Sequence, residues 1–202
     1  ARIEKENRRA SRQEQEVLAK YVGWGGIPQA FDSNNSVWAN EYAELKETLT
    51  ETEYESARAS TLNAHYTSPT VINAIYQAIE NLGFRRGNIL EPSCGIGNFF
   101  GLLPENMAGS KLYGVELDSI TGRIARQLYQ NADIQIKGFE NTDYPDSFFD
   151  LAIGNVPFGS YGVSDQRYAK QKFHIHDFFF AKALDKVRPG GIIAFITSKG
   201  TL

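Results

Sequence analysis

The chain passes from a strand to a helix within one segment, Asn88-Ile89-Leu90-Glu91-Pro92-Ser93-Cys94-Gly95-Ile96-Gly97-Asn98. Its apolar first half is typical of a buried strand, and its two glycines allow a sharp backbone turn before a helix. Four further apolar runs of strand length follow, separated by patterns of helical period: 111–117, 133–137, 149–154 and 191–197. Strands that alternate with helices in this way predict an α/β fold with a doubly wound, mostly parallel sheet.

The residues before this region have a different character. Residues 2–20 are dense in charged and amide side chains and predict one exposed helix, which runs into a glycine-rich turn around Trp24. We interpret Trp24 as an anchor that packs on a neighbouring surface. The chain therefore divides into an N-terminal helical extension, 1–62, and an α/β core, 63–202. Because it stops just after the fifth predicted strand, we expect the sheet to be incomplete at its C-terminal end.

Two further helices are predicted in the extension. One runs from about residue 37 to 49, and the next opens with Thr50 and Glu53 at the spacing of a capping box. Six glutamates stand against Lys46 and Arg58 between residues 41 and 58, which indicates a solvated helix face. In the core, Ser68-Pro69 begins a helix with a favourable N-cap and a proline in the first turn.

Composition excludes several classes of protein. The chain has 202 residues, of which 42% are hydrophobic and 22% charged, so it is neither disordered nor a disulfide scaffold. The single cysteine cannot form an internal disulfide, and no apolar run approaches the ~20 residues of a membrane span. We therefore expect a cytoplasmic protein with no membrane partner. The net charge of −3 means that any nucleic acid must be held by local contacts.

The loop with Gly95 and Gly97 lies where parallel α/β sheets bind ligands, at the carboxyl ends of the strands. A dinucleotide fingerprint would need a glycine in place of Phe100, and a P-loop would need a Lys-Ser/Thr pair after the loop. Glu116 comes nineteen residues after Gly97, close to the spacing at which an acidic residue binds ribose hydroxyls. A tight turn without a ligand and an exposed strand-end glutamate are the alternative interpretations.

An amide, a proline and an aromatic residue follow the fourth predicted strand, in Asn155-Val156-Pro157-Phe158. The Asn155 side chain and the Val156 carbonyl offer two acceptors for the two hydrogens of one amino group, which turns its lone pair toward an electrophile. Phe158 offers a face on which a planar ring can stack. A turn formed by Asn-x-Pro explains the same residues without a ligand, so both interpretations stay open.

These motifs, in this order, resemble the S-adenosylmethionine-dependent amino-methyltransferases, above all the adenine-specific DNA methyltransferases. The resemblance covers roughly residues 60–202. More narrowly, the chain is similar to the methylase segment of the very large helicase–methyltransferase proteins of bacterial conjugative elements and phages, whose signature includes Tyr21–Gly26. The segments that carry the resemblance are His65-Tyr66-Thr67-Ser68-Pro69, Glu91–Phe99, Gly114–Asp118 and Asn155–Phe158.

The resemblance implies a Rossmann-like class I methyltransferase core that transfers a methyl group from S-adenosylmethionine to the N6 amine of adenine in DNA. It also implies a bacterial cytoplasmic location, a role related to restriction–modification, and a flipped-out target adenine. The target-recognition and helicase regions would lie in further parts of a larger parent protein.

Residue roles follow from the same resemblance. Asn155 and the Val156 carbonyl would hold the target amine, with Phe158 stacked on the flipped base and Pro157 completing the catalytic tetrapeptide. Glu116 would bind the cofactor ribose. No metal ligands are implied. The implied cofactor-binding residues are Tyr66, Thr67, Glu91, Pro92, Cys94, Gly95, Gly97, Asn98, Phe99, Glu116, Leu117, Phe139 and Glu140.

Two positions depart from the family pattern. The second residue of the tetrapeptide is usually proline and here is Val156, which we expect activity to tolerate because only its carbonyl is used. The third motif commonly has an Asp after a glycine that contacts the cofactor adenine. Here Gly138 is followed by Phe139 and Glu140, and the sequence leaves open whether Glu140 makes that contact or Phe139 packs on the adenine face.

Other constellations have plainer interpretations. His174, His176 and Asp177 form only a partial metal-ligand set and are typical of a helix start. Cys94 lies in the cofactor loop and is not expected to be a nucleophile. Phosphate contact and a solvated loop are equally compatible with the basic residues Arg167, Lys170 and Lys172.

Two rival functions remain compatible with the sequence. Protein-glutamine and RNA amino-methyltransferases use a similar tetrapeptide, because a side-chain amide also presents a planar amino group. Alternatively, the domain is a cofactor-binding module that serves a larger helicase without catalysis.

Overall fold

The structure is a computed structural model that describes residues 2–61 and 66–198. The helices in this described part are α1 (Arg2–Lys5), α2 (Arg12–Leu18), α3 (Ala39–Thr48), α4 (Glu51–Ser60), α5 (Pro69–Asn81), α6 (Asn98–Gly101), α7 (Ser119–Leu128) and α8 (Ile175–Lys186). The strands are β1 (Asn88–Glu91), β2 (Lys111–Glu116), β3 (Asp133–Ile136), β4 (Phe149–Asn155) and β5 (Val187–Ile196).

The five strands form one sheet in the order β3-β2-β1-β4-β5, and every pairing between neighbours is parallel. The predicted α/β, doubly wound, parallel fold is therefore confirmed. The strand order reverses between β1 and β4, so the loops that leave these two strands diverge around a crevice. Ligands of open α/β sheets bind at this point.

Each face of the sheet has its own core, as adjacent residues of β1 show. Ile89 packs with α5, α6 and α7 on one face, and Leu90 packs with α8 on the other. Both side chains are fully buried. Burial of an apolar side chain of this size stabilises the fold by about 1.5–3 kcal/mol, so the two cores hold β1, and the loop after it, in a fixed position.

The extension does not form the single helix predicted over residues 2–20. Helix α1 ends at Lys5, Asn7 takes a positive φ of 46°, and α2 begins only at Arg12. The reason lies in Ser11 and Glu14, which form a reciprocal capping box and so start a new helix. The sequence contained this signal in its Ser-x-x-Glu spacing.

A small separate core organises the rest of the extension. Buried Phe31 and Tyr54 pack together with Trp24, whose ring meets Phe31 edge to face at a centroid distance of 5.6 Å. The interpretation of Trp24 as a packing anchor is confirmed, and so is the capping box of Thr50 and Glu53 at the start of α4. Most of the acidic face is solvated, whereas Glu53 forms an ion pair with the core helix α7.

Element boundaries in the core are close to those predicted. Ser68 caps α5, Pro69 occupies its first turn, and Gly83 follows its end with a positive φ of 92°. Strand β5 begins at Val187, four residues earlier than expected, because α8 passes into it without a loop. In the described ranges, no helix is long and apolar enough to cross a membrane. The division of the chain at residue 62 stays a prediction, because residues 62–65, including His65 of the quoted motif, lie outside the described residues.

Candidate functional site

A cavity of about 630 Å³ opens at the point where the strand order reverses. This volume is within the range of small-molecule sites. Its walls come from the loops after β1, β2, β3 and β4 and from parts of α4 and α8. The structure brings these sequence-predicted site residues to its surface: Tyr66, Thr67, Glu91, Pro92, Cys94, Gly95, Asn98, Phe99, Glu116, Leu117, Phe139, Glu140, Asn155, Val156, Pro157 and Phe158.

The turn after β1 is built from backbone. The Cys94 amide donates to the Val115 carbonyl of β2 at 2.9 Å, and the Gly97 amide donates to the Cys94 carbonyl at 2.7 Å. Gly95 takes a φ of +55° and has no atom within 4 Å of the place where a Cβ would stand. Glycine adopts this conformation without strain and leaves the backbone open to close approach by a ligand.

Gly97 is the one predicted site residue that the structure places outside the cavity lining. It precedes α6 with a φ of +86°, and a Cβ here would overlap the ring of Tyr129. Position 97 therefore requires glycine because of the backbone conformation before α6 and because Tyr129 leaves no room for a Cβ. Gly97 supports the turn from the side that faces away from the cavity. The Gly-x-Gly spacing alone does not distinguish this role from ligand contact.

Glu116 at the end of β2 joins two neighbouring loops. One carboxylate oxygen accepts from the Gly95 amide at 2.8 Å and the other from the Asp118 amide at 2.7 Å. Burial raises the pKa of Glu116 from its ordinary value near 4.5 to about 7, although these hydrogen bonds act in the opposite direction. Each oxygen keeps a second lone pair, so the carboxylate can also accept from a diol in the cavity.

Glu91 at the end of β1 is a second carboxyl group in the same wall. It is only 2% exposed, and its Oε2 is a buried atom without a hydrogen-bond partner among the described residues. Burial, and then the nearby charge of Glu116, raises the pKa of Glu91 well above 4.5. A buried oxygen of this kind is suited to accept a hydrogen bond from a donor on a bound molecule.

The turn after β4 faces this wall from across the strand-order reversal. The Ser93 hydroxyl donates to the Asn155 backbone carbonyl at 2.8 Å and so ties the two turns together. The Asn155 side chain is half-buried and lines the cavity. Val156 is 1% exposed, and its amide donates to the Ile196 carbonyl of β5 at 3.2 Å. Proline has no amide hydrogen, so valine at this position gains a sheet hydrogen bond that the usual residue would lack.

The third loop, after β3, presents two different residues to the cavity. Phe139 is 2% exposed and packs on Phe179 at a centroid distance of 5.1 Å, so most of its ring belongs to the core. Glu140 is half-buried, and its backbone carbonyl accepts from Lys182 of α8 at 3.0 Å. Of these two residues, only Glu140 therefore offers a polar side chain to the cavity.

The long crossover from β4 to α8 is fixed by ion pairs. Buried Lys182 pairs with Asp165 at 3.0 Å, and Arg167 pairs with both Asp146 and Asp185 at 2.8 and 2.9 Å. Arg167 thus has protein partners for its charge, which weakens the interpretation of it as a phosphate contact. The other two basic residues of this loop, Lys170 and Lys172, are exposed.

The remaining constellations have structural roles. His174 is the N-cap residue of α8 and Asp177 lies in its first turn, as the helix-start interpretation predicted. In residues 2–61 and 66–198, no group of three or more His, Cys, Asp or Glu side chains could hold a metal ion. Cys94 is 4% exposed, and burial raises the pKa of its thiol well above the ordinary value, which is the opposite of what a nucleophile needs.

Sequence reasoning missed part of the wall. Gly23, Ser56, Ala59 and Ser60 of the extension line the cavity together with Asp118 and Thr121 of the core. Ser56 and Asp118 are 62 positions apart, and their contact depends on how α4 packs on α7. The local sequence gives no signal for such a contact, whereas Asp118 before Ser119 is a recognisable N-cap.

Comparison with known proteins points to methylases. The chain is 31% identical over 147 residues to the defense against restriction protein B of Escherichia phage P1. This alignment covers 70% of this chain and 6% of the phage protein. It is 29% identical over 136 residues to the modification methylase CviBIII of Paramecium bursaria Chlorella virus NC1A. This second alignment covers 65% of this chain and 36% of the methylase. The chain therefore spans well under half the length of these relatives, and no family model matches it.

The fold has relatives among solved structures. A Listeria monocytogenes protein described as a class I S-adenosylmethionine-dependent methyltransferase superposes with a TM-score of 0.55 at 15% identity. The match covers 93% of this chain and 67% of that one. The chain is thus a relative of phage and viral proteins, one of them a modification methylase, and has the fold of the class I S-adenosylmethionine-dependent methyltransferases.

Proposed function

We propose that this chain is the catalytic domain of a larger DNA methyltransferase, which transfers a methyl group from S-adenosylmethionine to the N6 amine of adenine. The observation that carries the proposal is the shared cavity of the turn after β1 and the turn after β4. The phage and viral relatives of the chain support a role on nucleic acid, since one is named for defense against restriction and the other as a modification methylase.

The residues of the cavity fit this cofactor. The open backbone at Gly95 admits a ligand to close contact, and Glu116 offers acceptors for the two hydroxyls of a ribose. The unpartnered oxygen of Glu91 fits a donor such as the ammonium group of a methionine moiety. Among the third-loop residues, the accessible carboxylate of Glu140 suits the adenine amine, because the ring of Phe139 is committed to the core.

The turn after β4 supplies the groups that act on the substrate. Asn155 and the Val156 carbonyl would accept the two hydrogens of the target amine, and Phe158 would stack on its ring. When bound, S-adenosylmethionine supplies an electrophilic methyl group on a sulfonium. Asn155 and the Val156 carbonyl would hold the amine in place while it accepts this methyl group from the sulfonium, which would leave as a neutral thioether, and the surplus proton of the amine would pass to solvent.

The contribution of the protein would be orientation. No strong general base is required, because the amine loses its proton after it has attacked. Two fixed acceptors instead direct the lone pair of the amine at the methyl carbon, and alignment of this kind supplies a large part of a rate enhancement. Ser93 holds the Asn155 backbone at 2.8 Å and so helps to fix that alignment.

The proposal is tested by sequencing modified bases in DNA from cells that express the parent protein, either unchanged or with Asn155→Ala. We expect N6-methyladenine at a defined sequence with the unchanged protein and none with the variant. Methyl label on protein or RNA and not on DNA would contradict the proposed substrate. Equal methylation by both proteins would contradict the role of Asn155.

A further inference from the structure

The N-terminal extension contributes directly to the cavity. Ser56, Ala59 and Ser60 lie on one side of α4 and line the same space as Glu116 and Leu117 at the end of β2. The opposite side of α4 carries exposed residues such as Arg58, which lies outside the lining. Helix α4 therefore has one face toward the cavity and another toward solvent.

A chain of hydrogen bonds connects α4 to Glu116. The Ser56 hydroxyl donates to a carboxylate oxygen of Asp118 at 2.9 Å, and Asp118 is only 4% exposed. The other carboxylate oxygen of Asp118 caps α7 by accepting from the Thr121 amide at 3.1 Å. The Asp118 amide in turn donates to Glu116 at 2.7 Å. Ser56 is thus linked through Asp118 to the carboxylate proposed to bind the cofactor ribose.

Ion pairs hold the extension in this position. The guanidinium of Arg123 on α7 donates to Glu4 of α1 at 2.7 Å and contacts Glu53 of α4 at 2.5 Å. The pairing with Arg123 lowers the pKa of Glu4 to about 2, so this interaction persists over the physiological pH range. One arginine therefore connects two helices of the extension to the helix that follows Glu116.

We infer that the extension forms part of the cofactor site. In this site α4 encloses the nucleoside end of the cofactor, and Ser56 is a positioning residue for Glu116. The inference rests on the proposed function. It goes beyond the predicted division of the chain into an extension and a core, because a core without α4 would leave the ribose side of the cavity open. Binding of a nucleoside-containing cofactor should then require residues on both sides of residue 62.

The inference is tested with a matched pair of bulky substitutions on α4, in the parent protein. Ala59→Trp places an indole in the cavity, whereas Arg58→Trp places the same side chain on the solvent face of the same helix. We expect Ala59→Trp to weaken binding of S-adenosylmethionine, measured by calorimetry, by about 100-fold or more, because the indole occupies the ligand volume. Arg58→Trp should bind like the unchanged protein, and both variants should unfold within about 3 °C of it.

A second pair of variants tests the role of the Ser56 hydroxyl. Ser56→Ala should raise the Kd for S-adenosylmethionine by about tenfold and leave kcat at saturating cofactor unchanged, and Ser56→Thr should restore binding because it keeps the hydroxyl. Normal cofactor binding by Ala59→Trp or by Ser56→Ala would overturn the inference and leave the proposed function intact. Failure of the unchanged protein to bind S-adenosylmethionine would overturn both.

Discussion

The turn after β1 and the turn after β4 are neighbours in one cavity, but they are built in different ways. The first is made of backbone: two residues with positive φ, Gly95 and Gly97, and hydrogen bonds between amides and carbonyls. The second projects the amide side chain of Asn155 and the ring of Phe158 from an extended strand end. Two cores fix the strands beneath both turns, and the hydrogen bond from Ser93 to the Asn155 carbonyl links the turns to each other.

This difference indicates that the two turns serve different steps, cofactor binding and methyl transfer. A backbone turn can follow the shape of a ligand but offers no side chain to direct a reaction, so it is suited to binding. A side-chain amide contributes little binding area but can orient one amine, so it is suited to transfer. Substitutions at the two turns should therefore separate cofactor affinity from the rate of methyl transfer.

The largest effect is expected at the turn after β4. Asn155→Ala removes one of two acceptors aimed at the amine, and loss of one such preorganised group lowers a rate by about 10²–10³-fold. The Kd for S-adenosylmethionine should stay within about threefold of the unchanged value, because the turn after β1 is untouched. Single-turnover kinetics and calorimetry on the parent protein check this, and an equal loss of rate and affinity would remove the distinction between the turns.

The glycines of the turn after β1 should show the converse. Gly95→Ala points a methyl group into open cavity at a positive φ, and we expect cofactor affinity to fall by about tenfold or more with little loss of stability beyond ~1–2 kcal/mol of strain. Gly97→Ala adds overlap with Tyr129 and should lower the free energy of unfolding by about 3 kcal/mol, or ~6–12 °C in Tm.

Calorimetry and thermal unfolding of both variants check this contrast. Gly26→Ala is the control, since a Cβ at this exposed glycine meets nothing within 4 Å and its φ is not positive. If Gly95→Ala were the less stable variant and Gly97→Ala bound the cofactor less well at a temperature where both are folded, the assignment of the two glycines would be reversed.

Much of this organisation was predictable from the sequence, because it rests on local patterns. Alternating apolar runs predicted the five parallel strands, and strand ends with special residues predicted which loops meet. The cavity wall from α4 was not predictable in the same way. Ser56 reaches Asp118 only because α4 packs on α7, and a hydrogen bond between residues 62 positions apart has no periodicity to reveal it.

One wrong prediction and one open assignment have instructive causes. The break between α1 and α2 was overlooked because the charged composition of residues 2–20 suits a helix throughout, while the capping box at Ser11 favours a new start. The assignment of Gly97 to cofactor binding stays a prediction, because a Gly-x-Gly motif combines a binding glycine with a structural one and the ring of Tyr129 favours the structural role.

A moderate effect of pH is expected on the binding side alone. The pKa of Glu116 is raised to about 7, so lowering the pH from 8 to 6 protonates a carboxylate that must accept from ribose hydroxyls. Cofactor affinity should fall by up to about tenfold over this range, and Glu116→Gln should bind weakly at both pH values. Binding isotherms at several pH values check this, and pH-independent binding by the unchanged protein would argue against an ionised Glu116 in the complex.

The same raised pKa has a consequence for stability with the opposite sign. In the ligand-free protein the folded state binds a proton at Glu116 more tightly than the unfolded chain does. The free energy of unfolding should therefore decrease as the pH rises from about 4.5 to about 7, and Glu116→Gln should remove this part of the decrease.

The smallest effect is expected for Arg167, which follows the turn after β4 but pairs with Asp146 and Asp185. Arg167→Ala should change DNA affinity by less than about twofold and the free energy of unfolding by less than about 1 kcal/mol, because exposed ion pairs contribute little. The slope of log affinity against log salt should also be unchanged. A slope reduced by about one would show that Arg167 contacts a phosphate.

We propose that one cavity brings the cofactor and the target amine together, and a crystal structure with bound S-adenosylhomocysteine would decide this. We expect the nucleoside between Gly95, Glu116 and α4, with the sulfur within about 8 Å of the Asn155 amide oxygen, a span that admits a reacting N···C distance of ~3–3.5 Å. A ligand seated on another face of the sheet, or with its sulfur turned away from Asn155, would contradict it.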